Sequence, residues 1–237
     1  MERRDHIIDV FMALIGERQF EEVTPRVIAS EAGVTLAQLR AEFASRGHII
    51  DAFAKRIDDV VLSGQYDDMA DEPARERLFD VMMSRIEALK PYRLAMGELI
   101  AMSRRDPAVG MALNALNVRS TAWDLAAAGL RAPGWRGRLA VQGTASSFVK
   151  VLRVFVQEDD AGLPRTMAAL DKALREGESR HKQFARIFGS AVEPDPRPSV
   201  APSSDAADDL DDSVATQAVN GSENGVTGEP NAGSSTG

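Results

Sequence analysis

The side chains best equipped for chemistry in this 237-residue chain fall within one short stretch: Thr24, Arg26, Thr35, Gln38, Arg40 and Arg46. A guanidinium group donates in a planar fork that matches phosphate oxygens or the O6 and N7 edge of guanine, while hydroxyl and amide groups add shorter contacts. That equipment suits contact with double-stranded nucleic acid better than catalysis. His6, His48 and His181 stand at no metal-ligand spacing, and cysteine is absent. Neither a phosphate-binding glycine loop nor a nucleophile elbow occurs, and carboxylate pairs such as Asp58-Asp59 and Asp67-Asp68 read as solvated surface. Enzymatic chemistry, a metal and a cofactor are therefore not expected.

The residues are placed by helix punctuation. Thr24-Pro25 is an N-cap followed by proline at the first helical position, where its missing N–H costs nothing. Gly33 ends that short helix, and "TLAQ", Thr35 to Gln38, has the pattern of a capping box that starts the next. With Ala29 and Ala32 small at the crossing and Val34, Leu39 and Phe43 inward, "VIASEAGVTLAQLRAEF" reads as a helix-turn-helix. The spacing is explained by packing alone, whether or not the outer face reads DNA. That face carries Leu36 and Glu42 as well as arginines.

Around it, apolar residues recur at three- and four-residue intervals, and no alternating β run stands out. A first helix is expected at about 4–18, with Ile7, Ile8, Phe11, Leu14 and Ile15 on one stripe, and a fourth from Ser45 to about Leu62. Others follow at about 72–90, 93–105, 107–129, 135–157 and 163–188, separated at Pro91, Asp106-Pro107, Pro133-Gly134 and Gly162-Leu163-Pro164. The fold class is all-α. Three parts are expected: a helix-turn-helix head at 1–47, a larger helical bundle at 48–189, and a disordered acidic tail at 190–237.

The tail contains nine acids against one base, which accounts for the whole net charge of −8 and leaves the body neutral. Residues 24–56 carry five basic and three acidic side chains, a weakly basic surface. Arg3 and Arg4 precede "HIIDVFMALIG", but Asp9 interrupts the apolar run and no small-residue cleavage site follows, so no signal peptide is expected. Charges break every run that approaches the roughly 18 residues of a membrane span. The expectation is a soluble, cytoplasmic protein without membrane insertion.

The stretch "IIDVFMALIGERQFEEVTPRVIASEAGVTLAQLRAEFASRGHIIDAF" resembles the TetR family of bacterial transcriptional regulators, with the aromatic before the acidic pair, Thr24, the "IA...AGV" turn and Phe43 at the family's spacings. The resemblance covers about 50 residues. It implies a homodimer that binds a palindromic double-stranded DNA operator and releases it when a small effector enters the C-terminal domain. Thr24, Arg26, Thr35, Gln38, Arg40 and Arg46 become the implied DNA contacts. Where the family commonly has lysine, tyrosine and lysine near phosphates, this chain has Leu36, Arg40 and Arg46. Arginine keeps a donor at two of the three positions; leucine does not.

In the remaining helices, Met82, Met96, Met102 and Met111, with Met83 beside them, form a cluster that serves an ordinary core or a pocket for an apolar effector. Tyr92 and Trp123 would line the same space. Gly143, Ser147, Phe148, Leu152 and Phe155 suit a close helix contact, either within the chain or across a two-fold dimer, and the resemblance favours the dimer. A looser likeness, in "DAFAKRIDDVVL" and "VQEDDAGLPRTMAALDKAL", is to the lipid-binding accessory proteins of ubiquinone biosynthesis. These share a TetR-like fold without regulating transcription. On that reading the methionine-rich middle holds an isoprenoid, and Phe184, Ile187 and Phe188 touch a membrane.

Overall fold

The computed structural model describes residues 2–64 and 71–195. Helix α1 (Glu2–Glu17) forms on the stripe of Ile7, Ile8, Phe11, Leu14 and Ile15, all of which are buried together with Met12. Phe20 follows in a 3-10 turn, its ring edge-on to Phe11 at 6.3 Å. Helix α2 (Pro25–Glu31) starts where Thr24 Oγ1 accepts from the Val27 N–H at 3.4 Å. Helix α3 (Leu36–Glu42) starts with the anticipated capping box: Thr35 Oγ1 accepts from the Gln38 N–H at 3.1 Å, and Gln38 Oε1 from the Thr35 N–H at 2.9 Å. Between them Gly33 takes φ +63°, a left-handed conformation that costs glycine nothing.

Helix α4 (Arg46–Leu62) is capped by Ser45 and runs from behind α3 into the rest of the molecule, packing on α1 and on two later helices. The later helices are α5 (Ala74–Leu89), α6 (Arg93–Arg105), α7 (Pro107–Ala127), α8 (Gly134–Phe155) and α9 (Pro164–Phe188). Their ends lie within two residues of those marked by the sequence, because the breaks are local chemistry. Asp106, for example, caps α7 by accepting from the N–H groups of Ala108 and Val109. The α8–α9 turn depends on a buried acid. Glu158 accepts from the N–H of Arg165 at 2.8 Å and of Thr166 at 2.7 Å, and from the Thr166 hydroxyl. Burial alone would raise its pKa, but these three donors outweigh it and hold the carboxyl below its ordinary range.

Residues 2–195 belong to one compact unit, with a core that continues from the first three helices into the bundle. One boundary differs from expectation. The tail was expected to start at Ser190, yet Ala191 is buried and β2 (Glu193–Pro194) pairs antiparallel with β1 (Leu130–Arg131). The Asp195 N–H also donates to the Gly129 carbonyl at 2.9 Å, and Arg131 pairs with Glu193 at 3.1 Å. Composition concealed this because two-residue strands need backbone partners rather than apolar runs. The rest of the expected tail lies outside the described residues.

At the centre of the bundle, Arg85 of α5 joins Asp58 of α4 and Asp124 of α7, all buried. Its Nε lies 3.0 Å from both Asp124 oxygens and its Nη2 2.6 Å from Oδ1. Asp58 Oδ1 approaches Nη1 at 2.7 Å, an ion contact poorly directed for a hydrogen bond. Burial raises the Asp124 carboxyl pKa, Arg85 opposes that rise, and Asp58 adds to it. One cation thus serves two carboxylates. Arg85→Ala should cost about 3–5 kcal/mol in urea unfolding, because it leaves both acids buried without a partner. Asp124→Asn should cost more than Asp58→Asn, since Asp124 holds the bidentate contact; the reverse order would refute this account.

Candidate nucleic-acid interface and apolar cavity

The capping box fixes α3 so that Leu36, Ala37, Gln38, Arg40 and Ala41 face solvent, while Leu39 and Phe43 enter the core. Thr24, Arg26 and Thr35 are exposed beside them. Among the described residues, neither Arg26 nor Arg40 has a carboxylate partner, so both guanidinium groups remain available for an external anion. Each threonine hydroxyl caps its helix as an acceptor and still carries a proton to donate.

Arg46 departs from the expected arrangement. Its Nη1 donates inward to the carbonyls of Phe20 at 2.6 Å and Val23 at 3.1 Å, and its guanidinium lies 4.1 Å over the Phe20 ring. It clamps the turn after α1 to the start of α4, adding a donor to the Phe20 carbonyl, which also accepts from the Val23 N–H at 3.2 Å, and placing a cation over the Phe20 ring. Glu42, the acid that would repel phosphate, is also engaged. Arg4 donates to its carbonyl at 2.8 Å, lies 3.9 Å from its carboxylate, and covers the Phe43 ring at 4.3 Å. Sequence reasoning passed over Arg4 in this role, because a contact across 38 residues leaves no local spacing.

A cavity of about 670 Å³ opens between α4, α5, α6, α7 and α8. Met96 and Met111 line it, alongside Phe53, Ile57 and Leu99. The other candidates lie elsewhere. Met82 and Met102 are ordinary core, and Trp123 stands 51% exposed on the surface. Tyr92 belongs to a network in which Arg56 Nη2 donates to Asp9 at 2.7 Å and to the Tyr92 hydroxyl at 2.9 Å, while the Tyr92 ring meets Phe53 at 4.8 Å. Burial comes first in raising the Tyr92 pKa, with Asp9 adding to it and Arg56 opposing. The cavity rim is polar between α7 and α8, where Asn114 and Gln142 pair their amides and Asn117 donates to the Ala145 carbonyl at 2.8 Å.

The stripe expected at a dimer contact divides between two faces of α8. Phe148 and Leu152 line the cavity and Phe155 is fully buried, whereas Gly143 is exposed and Ser147 half-buried, accepting from Arg180 at 3.3 Å. The outer face instead presents Trp135 and Leu139, 55% and 56% exposed. Helical geometry accounts for the split, since positions 143 and 147 lie on a different stripe from 148, 152 and 155.

Neither a family model nor a curated protein matches this sequence. Solved structures do match. A TetR transcriptional regulator from Nitrosomonas europaea ATCC 19718 superposes with a TM-score of 0.60 at 19% identity, covering 76% of this chain and 99% of that one. The fold is TetR-like. Another TetR regulator, from Rhodococcus sp. RHA1, gives 0.54 at 17% identity over 74% of this chain and 94% of its own. A putative TetR-family regulator from Rhodococcus sp. gives 0.52 at 18% identity over 74% and 98%.

Within this TetR-like fold the two arginines beside α3 should separate by what they do. Arg46→Ala should lower stability by about 1–3 kcal/mol, since it strips donors from two carbonyls and a cation from Phe20. Arg40→Ala, on an exposed position, should change it by less than about 0.5 kcal/mol. Urea unfolding followed by circular dichroism measures both, and equal losses would contradict the clamp.

Proposed function

We propose that the protein is a ligand-responsive transcriptional regulator of the TetR type, binding a palindromic operator as a homodimer. The observation that carries this reading is the helix-turn-helix face: the start of α3 is fixed by the capping box, Arg26 of α2 and Arg40 of α3 are exposed without a carboxylate partner among the described residues, and Arg4 lies 3.9 Å from the Glu42 carboxylate. Arg26, Thr24 and Thr35 take phosphates, Gln38 and Arg40 lie over base edges, and Arg46 positions α4 through its clamp, with any phosphate contact secondary.

Two copies meet through the outer face of α8 with α9, where Leu139 offers exposed apolar surface and Gly143 leaves room for close approach. The effector is a small apolar molecule in the 670 Å³ cavity. It acts on α4, which contributes Phe53 and Ile57 to the wall and begins at Arg46, just after α3. A shift of α4 alters the separation of the two α3 helices, and dimeric readers require half-sites about one DNA turn apart.

The cavity would also suit the lipid-binding reading, and the side chains of Phe184, Ile187 and Phe188 that it calls on lie outside the described residues. No helix among the described residues is long and apolar enough to cross a membrane. Arg26 and Arg40, exposed beside the capped start of α3 and without a carboxylate partner among the described residues, support the DNA reading, since they sit where a helix-turn-helix meets the duplex.

Titration of the purified protein against its own upstream region, at about 50 and 200 mM salt, should show specific binding that weakens by a factor of at least 10³ if six or more phosphates are contacted. Arg40→Ala should weaken it further by at least tenfold. A folded protein that binds no DNA at low salt, yet binds liposomes or long-chain lipids, would transfer the assignment to the lipid carrier. In light scattering the wild type should be a dimer and Leu139→Glu a monomer; a monomeric wild type would exclude the palindromic mode.

A further inference from the structure

Leu36 opens α3 on the same face as Arg40 and is 47% exposed. A lone exposed leucine on a protein surface calls for no explanation in general, but this one has particular neighbours. Leu36 and Arg40 are one helical turn apart and both line a cavity of about 250 Å³ between α3 and the starts of α2 and α4, with Pro25, Leu39, Phe43 and Ile49 in its wall. Ala37 and Ala41 are exposed next to them and too small to hold base edges away. The face is therefore an apolar step beside the Arg40 guanidinium.

Gln38 is restricted as a reader. Its Oε1 already accepts from the Thr35 N–H at 2.9 Å, so one of its two lone pairs is engaged and the amide is turned towards the helix start, which constrains the paired contact that amides make with adenine. Beside it on the same face stand Arg40, suited to guanine O6 and N7, and Leu36, which offers neither donor nor acceptor. The apolar group that base pairs display in the major groove is the C5-methyl of thymine.

We propose that Leu36 reads a thymine methyl in each operator half-site, with Arg40 reading a guanine close by. Residues four apart on a helix are separated by about 6 Å along its axis, and stacked base pairs by about 3.4 Å, so the thymine lies one or two base pairs from that guanine. The inference rests on the DNA-reading function above and adds a sequence element to it.

The test begins with selection of binding sites from a random duplex pool by the full-length wild type, followed by replacement of each half-site thymine with deoxyuridine, which removes only the methyl. Fluorescence anisotropy should show one position per half-site where affinity falls about fourfold, the ratio expected from removing one buried methyl contact. In Leu36→Ala, whose exposed site leaves the fold intact by circular dichroism, the same replacement should change affinity less than 1.5-fold. Specific binding with no methyl-sensitive thymine would overturn the inference alone, as would unchanged methyl sensitivity in Leu36→Ala. A Leu36→Ala protein without measurable affinity would overturn it too, because one methyl contact per half-site cannot produce that loss. Absence of specific binding by the wild type would remove the DNA-reading function itself, and this inference with it.

Discussion

The structure depends on α4 being held at fixed points along its length by arginines. At its start Arg46 reaches back to the Phe20 and Val23 carbonyls, and in its middle Arg56 joins Asp9 of α1 to Tyr92. Near its end Asp58 meets Arg85, which is bound in turn to Asp124. The first contact ties α4 to the helix-turn-helix, the second to α1, and the third to the centre of the bundle. Half-buried or buried guanidinium contacts of this kind are more directional than apolar packing, because the planar fork accepts few orientations. The helix between head and cavity is therefore a positioned element rather than a simple connector.

The same arrangement explains which parts of the molecule could be read from the sequence. Capping and turn signals act over three or four residues, so Thr24, Gly33, Thr35, Asp106 and Pro164 gave the helix ends without knowledge of the fold. Arg46 to Phe20, Arg4 to Glu42 and Arg85 to Asp124 span 26, 38 and 39 residues. No periodicity marks such pairs, and an arginine that will be folded inward is written like one that will meet phosphate. This is why Arg40 and Arg46 looked equivalent in the sequence and differ in the structure.

The bundle shows a related limit. Small and aromatic residues on α8 suggested one contact surface, yet a single helix has several stripes, and two of them were merged. Gly143 and Ser147 lie outward while Phe148, Leu152 and Phe155 face the interior, a division that follows from an angle of about 100° per residue. Methionine was similarly ambiguous: Met96 and Met111 reach the cavity, whereas Met82 and Met102 fill core space, because residue type records apolarity but not which side of a helix meets a void.

Phe53 links the cavity to the head most directly. Its ring forms part of the cavity wall, packs edge-on against Tyr92 at 4.8 Å, and sits in the same α4 segment as Arg56. A ligand that displaces this ring must shift Tyr92, and Tyr92 shares its hydroxyl contacts with Asp9 and Arg56. Because α1 packs on α6 as well as α4, Asp9 cannot follow freely, so α4 moves relative to α1 or the network opens. Either response, on the proposed function, would alter the angle at which α3 is presented, since α3 is anchored by Leu39 and Phe43 in the core that α1 and α4 share. On the proposed function, this short path converts occupancy of the cavity into a change at the DNA face without any ligand contact to α3.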